Sequence, residues 1–191
     1  MKHLKAKSTA KKKRGFTIVE LMIVIALLAV MVSVGVPAFL NFTQTNTVAA
    51  TANRFMSSLA LAKSEAIKRN TNITVCRFVQ TGATTFTCTN DGLWEQGWGV
   101  WVDQNTNGVI DNTEWIKREA GLPVGYTLRS STNNFVSSVT FNSGGDASGD
   151  FGSNADILRL CEASGDLNRS RGIRIDGTGR ATVINGTAAC P

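Results

Sequence analysis

Oxygen-bearing side chains recur at alternate positions between residues 103 and 114 of this 191-residue chain. The oxygen donors are Asp103, Asn105, Asn107, the backbone carbonyl of Val109, Asp111 and Glu114. This is the spacing of a calcium-binding loop, in which the neighbouring glycine permits the turn that brings the donors together. Asn and Gly also form ordinary hairpin turns, so a polar hairpin without metal is the alternative. Calcium is therefore a possible ligand, and no cofactor is required.

Four cysteines, Cys76, Cys88, Cys161 and Cys190, are expected to form disulfides on the oxidising side of a membrane. Cys76 and Cys88 flank a predicted hairpin, and Cys190 would tie the C-terminal tail to a late strand. Several pairings are possible and the sequence does not choose between them. We favour Cys76 with Cys88 and Cys161 with Cys190. A metal site is less favoured because no cysteine pair has a two-residue spacing and the only histidine, His3, lies near the N-terminus.

One acid, Glu20, lies at the edge of an apolar segment. Leu21 to Val36 contains sixteen residues without a charge, long enough with its neighbours to enter a bilayer. Met1 to Gly15 carries seven Lys or Arg and no acid, so this end should stay in the cytoplasm and the bulk of the chain should face outward. A secretory signal is cut after its apolar core, whereas the credible site here lies before it. We therefore expect a single membrane anchor at about residues 18–38 in the mature protein.

A carboxylate at the edge of a hydrocarbon segment costs up to about a few kcal/mol unless it is paired. One interpretation of Glu20 is an interfacial acid that reaches the lipid head groups. The other, which we favour, is pairing with the amino group that a cut after Gly15 would create on Phe16, in the same or a neighbouring subunit. Phe16 and Glu20 lie one helical turn apart.

The charge of the chain depends on its N-terminal segment. The formal net charge of +6 comes from 20 basic and 14 acidic residues. Removal of the seven basic residues before Phe16 leaves 13 against 14, a net charge of −1. The whole-chain charge therefore gives no argument for nucleic acid. Catalysis is not expected either, because the mature chain has no histidine, no cysteine expected to be free and no glycine-rich phosphate loop.

A long helix is expected over residues 16–70. Its second half carries one apolar stripe at helical spacing, formed by Val48, Ala52, Phe55, Leu59, Ala62 and Ala66. Pro37, with Gly35 before it, predicts a kink or a local melt, because proline lacks the amide of the helical ladder. The alternative is two helices joined by a polar linker at Asn41–Thr47.

Residues 71–191 are expected to form one globular antiparallel β domain, a sheet or a sandwich, because short β-prone segments alternate with Gly, Asn and Asp clusters. The predicted strands are Ile73–Phe78, Phe86–Cys88, Gly97–Val102, Trp115–Arg118, Tyr126–Arg129, Val139–Phe141, Ile157–Cys161, Gly172–Asp176 and Arg180–Ile184. Asn142–Asn154 is interpreted as a mobile loop. The fold class is thus α+β, a long N-terminal helix packed on antiparallel strands.

The segment Lys11–Leu21, with its basic residues, Gly15, Phe16 and Glu20, resembles the processing site of type IV prepilins and type II secretion pseudopilins. Within that superfamily the chain resembles the GspH/FimT minor pilins and pseudopilins, through the strand Gly97–Asp103 and the segment Glu114–Arg118 that follows the hairpin. The four cysteines depart from the usual pattern of major pilins.

The resemblance implies a leader peptide, residues 1–15, that prepilin peptidase removes after Gly15 before it methylates Phe16. It also implies that Glu20 helps to register subunits in a filament, whose helices, including Pro37, pack together. The expected function is that of a structural subunit of a type IV pilus or type II secretion pseudopilus, in filament initiation or the tip complex. The expected location is the bacterial inner membrane, with the C-terminal domain in the periplasm, and then the filament. Expected partners are the peptidase, other pilins or pseudopilins and the inner-membrane assembly machinery.

Two alternatives keep the filament but change the task. One is a calcium-stabilised adhesive tip subunit. The other is a DNA-binding minor pilin, since some FimT-like proteins bind DNA through a late Gly-Arg-x-Arg motif, and phosphates need clustered cations. The candidate cations are Arg169, Arg171, Arg174 and Arg180. The second arginine of the motif is missing after Gly179-Arg180, so a solvated arginine face is favoured over nucleic acid.

Overall fold

The computed structural model describes residues 15–80, 86–88, 93–107, 110–130, 137–149, 157–186 and 190. Contacts divide the chain into an N-terminal unit that ends at Phe42 and a C-terminal unit that begins at Thr43. The leader predicted for residues 1–15 lies outside the described residues except for Gly15.

The single α-helix of the described residues, α1, comprises Ile18–Arg69. Pro37 lies inside it, so the predicted local melt is wrong, and so is the alternative of two helices with a linker at Asn41–Thr47. Proline removes one backbone hydrogen bond. The helix continues because the remaining backbone hydrogen bonds on both sides of that one lost bond propagate it cooperatively.

The C-terminal end of α1 is closed by a local hydrogen-bond pattern. Asn70 has a φ of 50°, a left-handed conformation that Asn tolerates better than most residues. Its amide donates to the carbonyl of Ile67 at 3.4 Å, and the amide of Thr71 donates to that of Ala66 at 3.2 Å. These two bonds form a Schellman motif, which satisfies carbonyls that the helix end leaves without partners.

The strands of the described residues number ten, and the sequence predicts all of them except β7, with ends that differ by at most two residues. They are β1 Ile73–Gln80, β2 Phe86–Cys88, β3 Gly97–Trp101, β4 Trp115–Ala120, β5 Thr127–Ser130, β6 Ser138–Phe141, β7 Ala147–Gly149, β8 Leu158–Cys161, β9 Arg171–Ile175 and β10 Ala181–Asn185. The interpretation of 142–154 as a loop is wrong at β7, which pairs with β6. Residues 150–154 of that loop lie outside the described residues.

Within the described residues the strands form two antiparallel sheets. The first has the order β4-β3-β1-β6-β7, with β2 paired to β1, and the second has the order β10-β9-β8-β5. One face of each sheet contributes to a single core with the stripe of α1. Every predicted stripe residue is buried. The α+β fold class is therefore confirmed.

Phe55 of α1 lies at the centre of this core. Its ring meets those of Trp94 and Trp98 edge to face, with centroids 5.3 Å and 5.2 Å apart. The buried indole Nε1 of Trp98 donates to the Oγ of Ser58 at 3.1 Å. Edge-to-face aromatic contacts and a satisfied indole N–H fix where this part of the helix lies on the first sheet.

We expect Ser58→Ala to lower the free energy of unfolding by about 1–3 kcal/mol, because the buried Trp98 N–H would lose its acceptor. Ser57→Ala is the matched control. The exposed Ser57 hydroxyl donates to the carbonyl of Arg54 at 2.8 Å, a hydrogen bond within α1. Thermal melts of the full chain in detergent, followed by near-ultraviolet circular dichroism, would measure both. Equal effects of the two substitutions would contradict the role given to Ser58.

Candidate functional site

The predicted processing residues lie directly before α1. Gly15 and Phe16 precede the helix, and Phe16 is 75% exposed. The amide of Glu20 donates to the hydroxyl of Thr17 at 3.2 Å. Thr17 thus caps the helix, and Glu20 occupies the third helical position, where an acid completes a capping box. Glu20 is itself exposed.

The first half of α1 presents apolar side chains to its surroundings on all sides. The large apolar residues from Ile18 to Phe42 are exposed within this chain, Met31 and Val34 at 70% each. In the described part of the chain, α1 is the helix long and apolar enough to cross a membrane. A surface of this kind needs a bilayer or the apolar faces of other helices.

Two disulfides hold the C-terminal unit. Cys76 is joined to Cys88 and Cys161 to Cys190, with Cα atoms 5.7 Å and 5.9 Å apart. These are the two pairings favoured from the sequence. The first links β1 to β2, and the second fastens the C-terminal tail to the end of β8. Each closes a loop in the unfolded chain, for which stabilisation of about 2–4 kcal/mol is typical.

The loop between β3 and β4 is closed by the carboxylate of Glu114. This side chain is buried. Its Oε1 accepts a hydrogen bond from the amide of Gln104 at 2.8 Å, and its Oε2 accepts one from the amide of Asp111 at 2.9 Å. The residue at the last position of the calcium-loop pattern therefore binds backbone amides in this structure.

The other predicted calcium ligands also bond to one another. Asn105 donates its Nδ2 to Asp111 Oδ2 at 2.8 Å, and the amide of Asn107 donates to side-chain oxygens of Asp103 and Asn105 at 3.1 Å each. Val109 lies outside the described residues. No group of three or more His, Cys, Asp or Glu among the described residues is placed to hold a metal ion. In this arrangement the donors do not fit calcium, because the ion would have to displace the amides of Gln104 and Asp111 from Glu114. Calcium binding stays a prediction.

Arg169, one of the four candidate DNA-binding residues, is held in an internal network. Its Nη2 lies 3.2 Å from Glu162 Oε1 and its Nε lies 3.0 Å from Asp166 Oδ2. It also donates to Gln44 Oε1 at 3.0 Å and to Ser164 Oγ at 3.2 Å. Four partners of this kind give Arg169 a structural role, tying the loop after β8 to α1.

The remaining arginines lie on or beside β9 and β10. Arg171 donates to the backbone carbonyl of the preceding residue at 2.9 Å. Arg174 and Arg180 line one cavity with Asp176 and Thr182. The amide of Arg180 donates to Asp176 Oδ1 at 2.9 Å. The structure thus brings Arg174 and Arg180 together beside an acid, and DNA binding stays a prediction.

Glu162 is a residue that the sequence analysis missed. Its side chain has no exposed surface. Burial acts to raise its pKa, but hydrogen bonds from the hydroxyl and amide of Ser164 and the charge of Arg169 lower the pKa below its usual range overall. The close sequence spacing of Glu162, Asp166 and Arg169 was a usable signal for this network.

Two family models match this chain, one in each of its two units. The family model described as type II transport protein GspH matches residues 51–179, more than half of the chain. This chain belongs to the GspH family. A second family model, the prokaryotic N-terminal methylation motif, matches residues 10–36 and so includes Gly15, Phe16 and Glu20.

Solved structures agree on the fold of this GspH-family protein. The type IV minor pilin FimU of Pseudomonas aeruginosa strain PAO1 is 19% identical, with a TM-score of 0.57 over 78% of this chain and 99% of FimU. A second crystal form of FimU is 18% identical, with a TM-score of 0.54 over 74% of this chain and 98% of FimU. A search of curated proteins found no match. At these identities the likeness concerns the fold alone.

We expect Glu162→Gln to destabilise the GspH-family domain at neutral pH and to have little effect in acid. The folded pKa of Glu162 is depressed, so the stability that its charge contributes is present above the unfolded pKa, about 4.3, and is lost as pH falls through the folded pKa. Thermal melts of parent and variant between pH 7 and about 3 would measure this difference.

Glu65→Gln is the matched control, because its pKa is also lowered, by a hydrogen bond from Arg69, while its carboxylate is half-buried and its partners Lys68 and Arg69 are exposed on α1. We expect only a small effect there, as for other surface ion pairs. A difference between parent and Glu162→Gln that stays constant with pH would contradict the role assigned to the Glu162 charge.

For the hairpin, we expect Glu114→Gln to lower the free energy of unfolding by about 1–3 kcal/mol even with a calcium chelator present, because the new amide group would face a backbone N–H. Thermal melts in chelator and in millimolar calcium would measure this. The calcium hypothesis requires a different result. The melting temperature of the parent should then rise with calcium, and that of Asp103→Asn should not.

Proposed function

We propose that the protein is a minor pilin or pseudopilin, a structural subunit of a type IV pilus or type II secretion pseudopilus. In this proposal prepilin peptidase removes residues 1–15 and methylates Phe16. Residues at about 18–38 anchor the chain once in the inner membrane, with the C-terminal domain in the periplasm, until the assembly machinery moves it into the filament. Its place is in filament initiation or the tip complex.

The observation that carries this proposal is an exposed apolar helix directly behind Gly15, attached to a GspH-family domain. The apolar side chains from Ile18 to Phe42 are exposed in the part of the chain that the structure describes. Hydrocarbon exposed to water is unfavourable by about 25 cal/mol per Å². A helix of this kind is stable in a bilayer and in a bundle of identical helices, and a filament subunit passes from the first to the second.

Glu20 has two candidate tasks, one in the helix cap and one in a charge pair. Its backbone amide bonds to the Thr17 hydroxyl, and its side chain occupies the position at which an acid completes a capping box. After a cut at Gly15, the new amino group of Phe16 would lie one turn from its carboxylate, within reach in the same or a neighbouring subunit. In an apolar surrounding, pairing with that amine would offset the cost of the buried charge.

A structural task also fits the rest of the chain. The family is one of structural pilins, and the mature sequence has neither histidine nor a free cysteine. The DNA-binding alternative loses support from the internal network of Arg169. The calcium-stabilised adhesive tip loses support from the amide bonds of Glu114.

We expect Glu20→Ala and Glu20→Gln both to enter filaments at least about tenfold less than the parent, the effect of about 1.4 kcal/mol. Glutamine at this position can complete a capping box but carries no charge, so the pair of variants separates the two tasks. Incorporation would be measured in sheared filaments, by quantitative mass spectrometry. Thr17→Ala, which loses the cap and keeps the charge, should reduce incorporation less.

Intact-mass and N-terminal analysis of the same samples, from cells with and without prepilin peptidase, is the control for processing. We expect all variants to begin at methylated Phe16 only when the peptidase is present. A parent chain that keeps Met1–Gly15 in both strains would overturn the proposed processing. Normal incorporation of Glu20→Gln would overturn the charge pairing and leave only the cap.

A further inference from the structure

In the part of the chain that the structure describes, β10 pairs with β9 and with no other strand, so it forms an edge of the second sheet. Two bonds beside its ends fix the ladder. The amide of Asp176 donates to the carbonyl of Arg180 at 3.1 Å, and the amide of Gly186 donates to the carbonyl of Ser170 at 3.0 Å. Because antiparallel strands bond through every second pair, the even-numbered residues of β10 bond to β9. The N–H and C=O groups of the odd-numbered residues point away from the sheet, at Ala181, Val183 and Asn185.

We name these outward backbone groups the β10 edge. Among the described residues, no hydrogen bond outside the strand ladder reaches the amide or carbonyl of Ala181, Val183 or Asn185. The strand contains no charged residue and no proline, and its register with β9 is continuous. The side chain of Val183 is 39% exposed. The β10 edge is therefore an open template for a further strand.

The other long or central edges of the two sheets are protected. At β5, the amide of Leu128 donates to Glu95 Oε2 at 3.4 Å. At β7, which has three residues, the amide of Ala147 donates to the carbonyl of Gly177 at 3.0 Å. Strand β4 carries three consecutive charges, at residues 117–119, and a bulge interrupts its register with β3. Proteins block unwanted strand pairing by such means, and β10 has none of them.

A basic cavity lies beside the β10 edge. Ile173 and Ile175 of β9 are buried in the core, so Arg174 between them lies on the other face of the second sheet. Thr182 of β10 is paired in register with Arg174 and shares that face. Both residues line the cavity, which has a volume of about 270 Å³, together with Arg180.

The charges of this cavity favour an anion. Its lining has two arginines and one acid, Asp176. The Oδ1 of Asp176 accepts hydrogen bonds from the amide and hydroxyl of Thr178 at 3.1 Å and 2.6 Å and from the amide of Arg180 at 2.9 Å. In the described part of the chain, neither the Arg174 nor the Arg180 guanidinium forms a salt bridge. A carboxylate brought to the cavity would find two guanidinium groups available.

The edge and the cavity together specify a partner. An open edge accepts an extended segment, whose backbone adds one strand to the sheet. Alternate side chains of that strand would lie on opposite faces. A side chain opposite Val183 would share the face of the core, whereas one opposite Thr182 would share the face of the basic cavity. The first should be apolar and the second acidic.

We propose that the β10 edge binds an extended segment of another protein in which apolar residues alternate with Asp or Glu. The backbone of the segment bonds to the outward groups of β10, its apolar side chains cover Val183, and a carboxylate pairs with Arg174 or Arg180. A second copy of this chain, paired through its own β10, would bring no acid to these arginines. The proposal does not depend on filament assembly.

Binding would be measured by titration calorimetry on the full chain in a zwitterionic detergent. The probe is a nine-residue peptide with blocked ends, in which Val alternates with Glu. We expect saturable binding with a Kd on the order of 100 µM. The same peptide with Lys in place of Glu should bind at least about tenfold more weakly, because its charges would face two arginines.

Two N-methylated forms of the acidic peptide test strand pairing. In the proposed register the valines lie opposite the odd-numbered residues of β10 and turn their N–H groups towards it, whereas the glutamates turn theirs away. Methylation of the valine amides should therefore abolish binding. Methylation of the glutamate amides is the matched control and should retain it.

Substitutions in the chain locate the site. Val183→Pro removes one outward N–H and keeps the ladder with β9, since proline is tolerated where the N–H of an edge strand faces solvent. We expect at least about fivefold weaker binding, the effect of one lost hydrogen bond. Val183→Ala, which keeps the amide, is the matched control and should bind more tightly than Val183→Pro. Arg180→Gln should weaken binding about threefold, as for one exposed ion pair. The thermal melt of each variant verifies that it is folded.

Three results would overturn the proposal. The first is a folded parent that shows no saturable binding of the acidic peptide. The second is equal binding of the peptides methylated at valine and at glutamate, which would exclude strand pairing. The third is a dimer of the parent, detected by sedimentation without peptide and lost in Val183→Pro, which would make a second copy the occupant. A single-stranded oligonucleotide that binds more tightly than the peptide, with loss in Arg180→Gln but not in Val183→Pro, would assign the cavity to nucleic acid and equally reject the proposal.

Discussion

The apolar stripe of α1 from Val48 to Ala66 is the surface on which the C-terminal unit depends. Phe55 lies against Trp94 and Trp98, and one face of each sheet joins the same core. Without this stripe, both sheets would expose an apolar face to water, at a cost that grows with the area. The same helix also supplies the exposed apolar segment before Phe42. The helix that carries the exposed apolar segment is thus also needed for folding of the C-terminal unit.

Local signals in the sequence were enough to predict α1 and all but one of the described strands. The apolar stripe recurs with the period of an α-helix, and the strands are short β-prone segments separated by clusters of turn residues. Strand β7 was missed because Asn142 to Asp146 is polar. In the structure that polarity forms a turn, since Asn142 Oδ1 accepts hydrogen bonds from the amides of Gly144 and Asp146 at 2.9 Å and 3.0 Å. Which strands pair in each sheet could not be predicted, because the order depends on pairings between distant segments such as β1 and β6.

The candidate sites were harder to predict than the fold, for a physical reason. The spacing of oxygen donors in a sequence indicates which atoms could bind a ligand. It does not indicate which hydrogen-bond partners those atoms have in the folded chain. Glu114 takes two backbone amides, and such bonds to a carboxylate are among the stronger ones in proteins. The guanidinium of Arg169 likewise forms ion pairs with Glu162 and Asp166. Cysteines are different, because each can form only one disulfide and their place beside hairpins and tails limits the choice, so the favoured pairings matched the structure.

Two tryptophans on the uncovered face of the first sheet illustrate the same limit. A Cβ at Gly99 would overlap the ring of Trp115, which lies down on the sheet there and meets Phe78 edge to face, with centroids 5.7 Å apart. Trp101 instead faces Thr74, whose hydroxyl leaves room and bonds to Thr140. Gly99 lies beneath the Trp115 indole and lets that ring fill its half of the face, while Thr74 opposite Trp101 leaves a polar cavity. Both side chains are tryptophan, and they differ only in their position in the strand register. The cavity therefore follows from the pairing of β1, β3 and β6 and not from any motif.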